Sequence, residues 1–270
     1  PARKAGQHMI APAPHQTDGL ERPRNVVLSV RDARKSYGFV TALAGASLDL
    51  HEGEVLALLG DNGAGKSTLI KAITGIVQID SGEIALDGAP LKLRSPADAR
   101  SAGIETVFQD LAVFDNLTVS DNFLIGRETT WPRWLGPLGL ISARDERTSW
   151  RQHAADLSVG HVSPDHEIGL MSGGQRQAVA VARAVAFARR VIILDEPTAA
   201  LGVRESDEIL EMVRTLPKRG LSVIIVSHNM DHVVRVADRA VVMRRGRDVG
   251  QMDVRDGVQR DLVAMIMGAA

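Results

Sequence analysis

The chain has 270 residues, 44% of them hydrophobic, and its 32 basic and 33 acidic side chains nearly cancel. That length allows one large domain or two small ones with a substantial core, and a formal charge of −1 supplies no field for nucleic acid or an anionic membrane surface. The absence of cysteine excludes disulfides and thiolate metal sites, and no uninterrupted apolar run approaches the ~18 residues of a membrane span.

Residues 1–24, "PARKAGQHMIAPAPHQTDGLERPR", are polar and proline-rich with no apolar period, and they read as a disordered tail ahead of a folded region, 25–270. No internal repeat is visible. From Val26 the runs "VVLSV", "ALAGASLDL", "EVLALLG" and "GEIALDG" are short, apolar or alternating, and separated by glycine and aspartate, as strands and turns are. The interval from about residue 96 to 172 differs. Its charged, alanine-rich stretches "SPADARSAG" and "ARDERTSWRQHAADL" read as short helices in a separable lobe. After Met171 come an alanine/arginine helix, the strand "VIILDE", a helix near "VRESDEILEMVRTL" and the strand "LSVIIVS". Two strands apolar at every position imply burial on both faces, hence an α/β fold with a parallel sheet flanked by helices.

Between "EVLALL" and the helix-like "TLIKAITGI" lies "GDNGAGKST", Gly60–Asp61–Asn62–Gly63–Ala64–Gly65–Lys66–Ser67–Thr68, which matches G-x-x-x-x-G-K-[ST] with strand and helix in the required places. The glycines let the backbone curl so that successive N–H groups point at phosphate oxygens. Lys66 adds a point charge for the terminal phosphates, Ser67 offers a hydroxyl to Mg²⁺, and the following helix contributes its positive end. A glycine-rich turn matching by chance would lack this strand–loop–helix context.

"VIILDEPTAAL" then delivers Asp195 and Glu196 to a strand tip, where ligands sit in open α/β sheets. Asp195 can hold Mg²⁺ through water, and Glu196 faces the other way, where it could orient the water that attacks a γ-phosphate. Adjacent acids after a strand are otherwise a helix cap or a solvated turn. His228, ending "LSVIIVS", is placed where a third group could reach the phosphate. Gln109, in "VFQDL", reads on its own as a backbone hydrogen-bonder. A second glycine pair, in "MSGGQ" (Met171–Gln175), opens a helix and suggests another place for an anion.

In this order and spacing, "GDNGAGKST", "MSGGQ", "VIILDE" and His228 resemble the ATPase subunit of an ATP-binding-cassette (ABC) transporter, over nearly everything from Val26 onward. The resemblance implies a P-loop NTPase fold: a RecA-like core, an antiparallel β subdomain, and a helical subdomain at about 96–172 inserted in the core. It also implies that Ser172, Gly173, Gly174 and Gln175 bind the γ-phosphate held by a second copy, so that two subunits close around two ATP. Gln109 takes the place of the glutamine that contacts Mg²⁺ and couples to a membrane partner. His228 takes that of the switch histidine, and Tyr37, the single tyrosine, that of the aromatic stacked on adenine. One position departs from the pattern: Gly202 stands where many relatives place an aspartate that reaches across the dimer.

"FQDLAVFDNLTVSDNFLIGRE" and "DEPTAALGVRES" are similar to ATPases of bacterial importers of ribose-, xylose- and fructose-type sugars. Many of those carry two fused ATPase halves, and this single set of motifs resembles the shorter members that work as homodimers. The implied partners are a second copy, integral-membrane permease subunits and, indirectly, a sugar-binding protein, with no nucleic acid. The implied location is peripheral, on the cytoplasmic face of the inner membrane. Phe108, Leu111, Val113, Phe114 and Leu117 either pack the lobe or meet the permease. Trp131 and Trp134 form either a local mini-core or a docking surface. "RRGR", Arg244–Arg247, reads as a solvated hairpin tip. Three rivals share the phosphate loop: an exporter ATPase, which differs only in its permease; a soluble repair or translation ATPase, which in repair needs a long heptad insertion that is absent; and a kinase, which leaves "MSGGQ" and His228 unexplained.

Overall fold

A computed structural model describes residues 25–127, 130–131, 140–141, 143–156, 162–199, 201–255 and 257–269. The chain enters as β1 (Val26–Tyr37) and β2 (Val40–His51), then passes through β3 (Val55–Leu59) and α1 (Lys66–Ile73). β4 (Ser81–Leu86) and β5 (Ala89–Pro90) follow, then α2 (Pro96–Ser101) and β6 (Ile104–Val107). Next come α3 (Val119–Leu124), the short pair β7 (Thr130–Trp131) and β8 (Leu140–Ile141), and α4 (Ala143–Asp156). The last third runs α5 (Gly173–Phe187), β9 (Val191–Asp195), α6 (Val203–Thr215), β10 (Ser222–Val226), α7 (Met230–Val236), β11 (Arg239–Arg244), β12 (Arg247–Asp253) and α8 (Gln259–Met267).

The larger sheet has the order β12-β11-β3-β10-β9-β6 and is parallel except for the β12 edge. Its central strands are buried on both faces, and their alternate residues feed two cores. Val55, Ala57 and Leu59 of β3 pack among α5, α6 and α7, while Leu56 and Leu58 pack against α1 and the second sheet. The same split divides Ile192 and Leu194 from Val191 and Ile193 on β9. This two-sided burial is why β3 is apolar throughout and β9 is apolar up to its terminal Asp195. The second sheet, β2-β1-β4-β5, is antiparallel and lies over α1.

Two elements differ from the sequence-based expectation. β1 does not end with "VVLSV" but continues through "RDARKSY", because Asp32, at φ +45°, absorbs a register shift and its amide donates to Ser47 Oγ at 3.1 Å. And β6, inside the interval read as helical, is the outer strand of the larger sheet. Its Glu105 is 8% exposed and takes a hydrogen bond from Arg127 at 2.5 Å. That pairing makes a charged residue tolerable in a strand and hides the strand from a hydrophobicity reading.

The helical region packs Phe123 of α3 edge-on against Trp150 of α4, ring centroids 5.3 Å apart, with the Trp150 indole donating to the Val162 carbonyl. Asn122, fully buried, accepts from the Phe114 amide and donates to the carbonyls of Phe114, Leu117 and Thr118, which fixes the loop after β6.

Candidate active site

Because β3, β10, β9 and β6 are parallel, their C-terminal ends emerge along one edge, and each carries a residue singled out above: Gly60, His228, Asp195 with Glu196, and Gln109. The chain order reverses about β3, since β10 lies on one side of it and β11 on the other, so the phosphate loop sits at the switch point of the sheet. Gly60, Asp61, Asn62, Gln109, Glu196, Ala199 and His228 line one cleft of about 460 Å³.

The loop takes its shape from neighbours that leave no room for side chains. Gly60 adopts φ +143°, and a Cβ there would lie 2.2 Å from the Met243 carbonyl oxygen of β11. The β11–β12 turn is zipped to the same loop. Gly246 N donates to Ala64 O at 2.9 Å, Ala44 N donates to Gly246 O at 2.7 Å, and Gly246 is buried. The "RRGR" segment is the tip of the β11–β12 hairpin, with Arg245 and Arg247 exposed, and at its buried glycine it also clamps the phosphate loop.

Lys66 Nζ donates to the loop carbonyls of Gly60 (2.5 Å) and Asp61 (3.0 Å). Burial pushes its pKa down, against the pull of Glu196, Asp195 and Asp61. Ser67 and Thr68 follow in the first turn of α1, which Gly65 caps without a side chain, so the first-turn amides stay available to an anion. Burial, and then the Glu196 charge, push the Asp195 carboxyl above its usual value, with Lys66 and Lys71 opposing. Glu196 occupies the left-handed region at φ +52°, a strained backbone for a non-glycine residue, and its amide donates to Val226 O across to β10. Its side chain, 15% exposed, meets His228 Nδ1 at 2.9 Å, and His228 is itself 77% exposed toward the cleft mouth. The acid and the histidine read from separate strands are thus one pair.

Tyr37 ends β1 and is 47% exposed. Asp80 anchors it from behind, accepting from Lys35 Nζ and Ser36 N at 2.7 Å each, and the Lys35 ammonium lies 5.8 Å from the centre of the Tyr37 ring. The neighbouring Phe39 and Val40 are also exposed.

"MSGGQ" does not line this cleft. Ser172 caps α5 by accepting from Gln175 N at 3.2 Å, while Gln175 Oε1 accepts from Ser172 N at 3.1 Å. This capping box uses the serine oxygen as an acceptor and leaves its proton free to donate outward. Met171 is buried in the main core, which its unbranched side chain fills. The glycine pair faces the loop after β9: Leu201 lies beside Gly173, and a Cβ on Gly174 would be 2.5 Å from Glu205 Cγ. A Cβ on Gly202 would be 2.5 Å from Glu205 Oε2. Gly202 is exposed, at φ −68°, and the atom that a side chain there would meet is the far end of the flexible, half-buried Glu205. Neither Glu205 nor the contacts of Gly246 carry a sequence signal; both depend on tertiary approach.

Of the apolar positions after β6, Phe108, Leu111 and Val113 are partly buried against the cores and Phe114 is 51% exposed. Trp131 lies in β7, while Trp134 falls outside the described residues.

Residues 43–199 match the ABC transporter family. The chain belongs to that family. It is 45% identical over 247 residues to a fructose import ATP-binding protein, FrcA, of Rhizobium meliloti, spanning 90% of this chain and 94% of the relative. It is 45% identical over 222 residues to a xylose/arabinose import ATP-binding protein, XylG, of Sulfolobus acidocaldarius, spanning 82% and 86%. A ribose import ATP-binding protein, RbsA, of Chromobacterium violaceum is 39% identical over 241 residues, but this chain spans only 47% of that ABC relative. Among solved structures, an ABC transporter cassette in its ADP conformation superposes with a TM-score of 0.77 at 26% identity, over 90% of this chain and 99% of the other. CbiO1 of Clostridium perfringens, part of the ABC transporter complex cbiONQ, superposes at 0.72 with 27% identity, over 90% and 95%. The ABC cassette fold, with its P-loop NTPase core, and the ATPase activity of the family are those of this chain.

Proposed function

We propose that this chain is the ATP-hydrolysing subunit of a sugar importer, in which ATP closes two copies and hydrolysis lets them open. The observation that carries the chemistry is the Glu196–His228 pair, 2.9 Å apart at the mouth of the cleft behind the phosphate loop. In this reading the first-turn amides of α1 and Lys66 hold the β- and γ-phosphates, and Tyr37 stacks on adenine. Glu196 orients and deprotonates the attacking water, and His228 contacts the γ-phosphate. Lys66 exchanges its two loop carbonyls for phosphate oxygens.

The donor set fits Mg²⁺: the Ser67 hydroxyl and the Asp195 carboxylate are hard oxygens, and the raised Asp195 pKa marks a charge that a cation would relieve. Gln109 lines the same cleft and supplies a further carbonyl oxygen. Bound there, Mg²⁺ would neutralise charge on the phosphate oxygens.

The position of "MSGGQ" away from its own chain's cleft supports a two-fold dimer in which Ser172, Gly173, Gly174 and Gln175 serve the partner's nucleotide. The sugar assignment rests on the fructose and xylose/arabinose import relatives matched across most of their length. No helix among the described residues is long and apolar enough to cross a membrane. As in the import systems its relatives are named for, the membrane path is assigned to permease subunits, which would dock by the loop after β6 around Phe114, with the ATPase peripheral on the cytoplasmic face.

The test is Glu196→Gln. It should bind ATP, lose hydrolysis by roughly a hundredfold or more, and elute as a dimer only with ATP. Uptake of labelled fructose, xylose and ribose by cells carrying this variant in place of the wild-type chain should fall for one of them. Undiminished uptake of all three would remove the sugar assignment, and undiminished hydrolysis would remove Glu196 as the base.

A further inference from the structure

Glu196 and His228 lie on separate loops, after β9 and after β10, and their separation is set by whatever ties those loops together. Among the described residues, the backbone bond from Glu196 N to Val226 O and the Glu196–His228 contact itself are joined by a third tie: His232, in the first turn of α7, touches both loops. Its Nδ1 lies 3.0 Å from Thr198 Oγ1, two residues past Glu196, and its Nε2 lies 3.3 Å from Nδ2 of Asn229, one residue past His228.

The proton positions follow from the cap of α7. Asn229 Oδ1 accepts from the amides of Asp231 (3.0 Å) and His232 (3.3 Å), so its NH₂ is the group left facing the ring. An amide NH₂ only donates, which requires a lone pair on Nε2. The neutral ring then carries its proton on Nδ1 and donates it to Thr198. A second proton on the ring would set two donors face to face and break the Asn229 contact. The charged surroundings agree with a neutral ring. Burial pushes the His232 pKa down, as do Arg235 on its own helix and His228, while Asp231 and Asp207 of α6 push the other way. Asp207 is itself engaged by Arg235 at 2.5 Å.

We propose that neutral His232 is a positioning residue, a latch that holds the loop after β9 to the loop after β10 and so keeps Glu196 and His228 together for hydrolysis. It rests on the reading of those two residues as the catalytic pair. The latch acts through Thr198 and Asn229 without touching nucleotide, so it governs turnover rather than ATP affinity.

Steady-state ATP hydrolysis by the full chain tests this between about pH 5.5 and 8.5, the range that brackets histidine titration. His232→Ala and the near-isosteric Thr198→Val should each lower kcat about five- to tenfold, as loss of one hydrogen bond does, with KM for ATP within about twofold. Asn229→Asp keeps the α7 cap but turns the group facing Nε2 into an acceptor, so the protonated ring is held as well as the neutral one. In the wild type kcat should fall on the acid side, where His232 takes up its second proton. In Asn229→Asp that fall should move to lower pH. Wild-type kcat in Thr198→Val, or superimposable acid limbs for wild type and Asn229→Asp, would overturn the latch. Running Glu196→Gln alongside separates the two claims: full activity there removes the catalytic pair itself, whereas an inactive Glu196→Gln beside unchanged His232 and Thr198 variants removes only the latch.

Discussion

Gly174→Ala sets helix propensity against packing, and the two disagree in sign. In an exposed helix, replacing glycine by alanine is stabilising by up to about 1 kcal/mol. Here the new methyl would lie 2.5 Å from Glu205 Cγ and 2.9 Å from Glu205 Cβ. Rotation of the Glu205 side chain relieves the first contact but not the second, since Cβ is fixed by the backbone of α6. Inserting a methyl into such a contact costs about 1–3 kcal/mol, so the net expectation is a loss of roughly 1–2 kcal/mol. Urea unfolding without nucleotide reads this as a lowered midpoint at unchanged slope. Glu205→Ala alone, at a half-buried position, should stay within about 0.5 kcal/mol of wild type. Glu205→Ala in the Gly174→Ala background should recover part of the loss, because the Cγ contact disappears while the Cβ contact persists. A Gly174→Ala protein as stable as wild type, or more so, would refute the packing argument.

Gly60→Ala meets both a left-handed backbone and the Met243 carbonyl, and should cost more than about 3 kcal/mol, measured by thermal or urea unfolding. Arg239→Met strips the partner that donates from Nε to Glu54 Oε1 at 2.8 Å and leaves a carboxylate 3% exposed, for an expected loss of about 3–5 kcal/mol at neutral pH. Burial works to raise the Glu54 pKa, but hydrogen bonds from Arg239 and from His51 N hold it below the ordinary carboxylate value. The stability this contributes is therefore present above the unfolded-state value and lost as pH falls through the folded one, and a pH series of unfolding midpoints should show that acid loss flattened in Arg239→Met. Tyr37→Ala should raise KM for ATP roughly tenfold with little change in kcat, as loss of one aromatic–base stack does. An unchanged KM would remove Tyr37 from the adenine site.

What could be read from the sequence is what local pattern encodes. The phosphate loop was visible because strand, glycines, Lys66, Ser67 and helix are contiguous, and β3, β9 and β10 because burial on both faces leaves polar residues only at the ends, Asp195 of β9 and Ser222 of β10. α5 opens where "MSGGQ" suggested, with Ser172 and Gln175 forming the reciprocal cap that such spacing allows. What stayed hidden depends on contacts between distant segments. β6 carries Glu105, tolerable only beside Arg127, and the charged half of β1 is a strand only because of the bulge at Asp32. The clamp of Gly246 on Ala64 joins residues far apart in sequence. So does the His232–Thr198 contact.

The neighbours of β3 set a limit on how this protein can be divided. The stretch from residue 43 to residue 199 carries the recognisable motifs, yet β3 lies between β10 and β11, both of which come later in the chain. Excised alone, that stretch would expose two raw strand edges of its most apolar strand and would lose the turn that grips the phosphate loop. The unit that can be recognised is thus smaller than the unit that can fold, and any truncation meant to isolate the ATPase has to keep everything through β12.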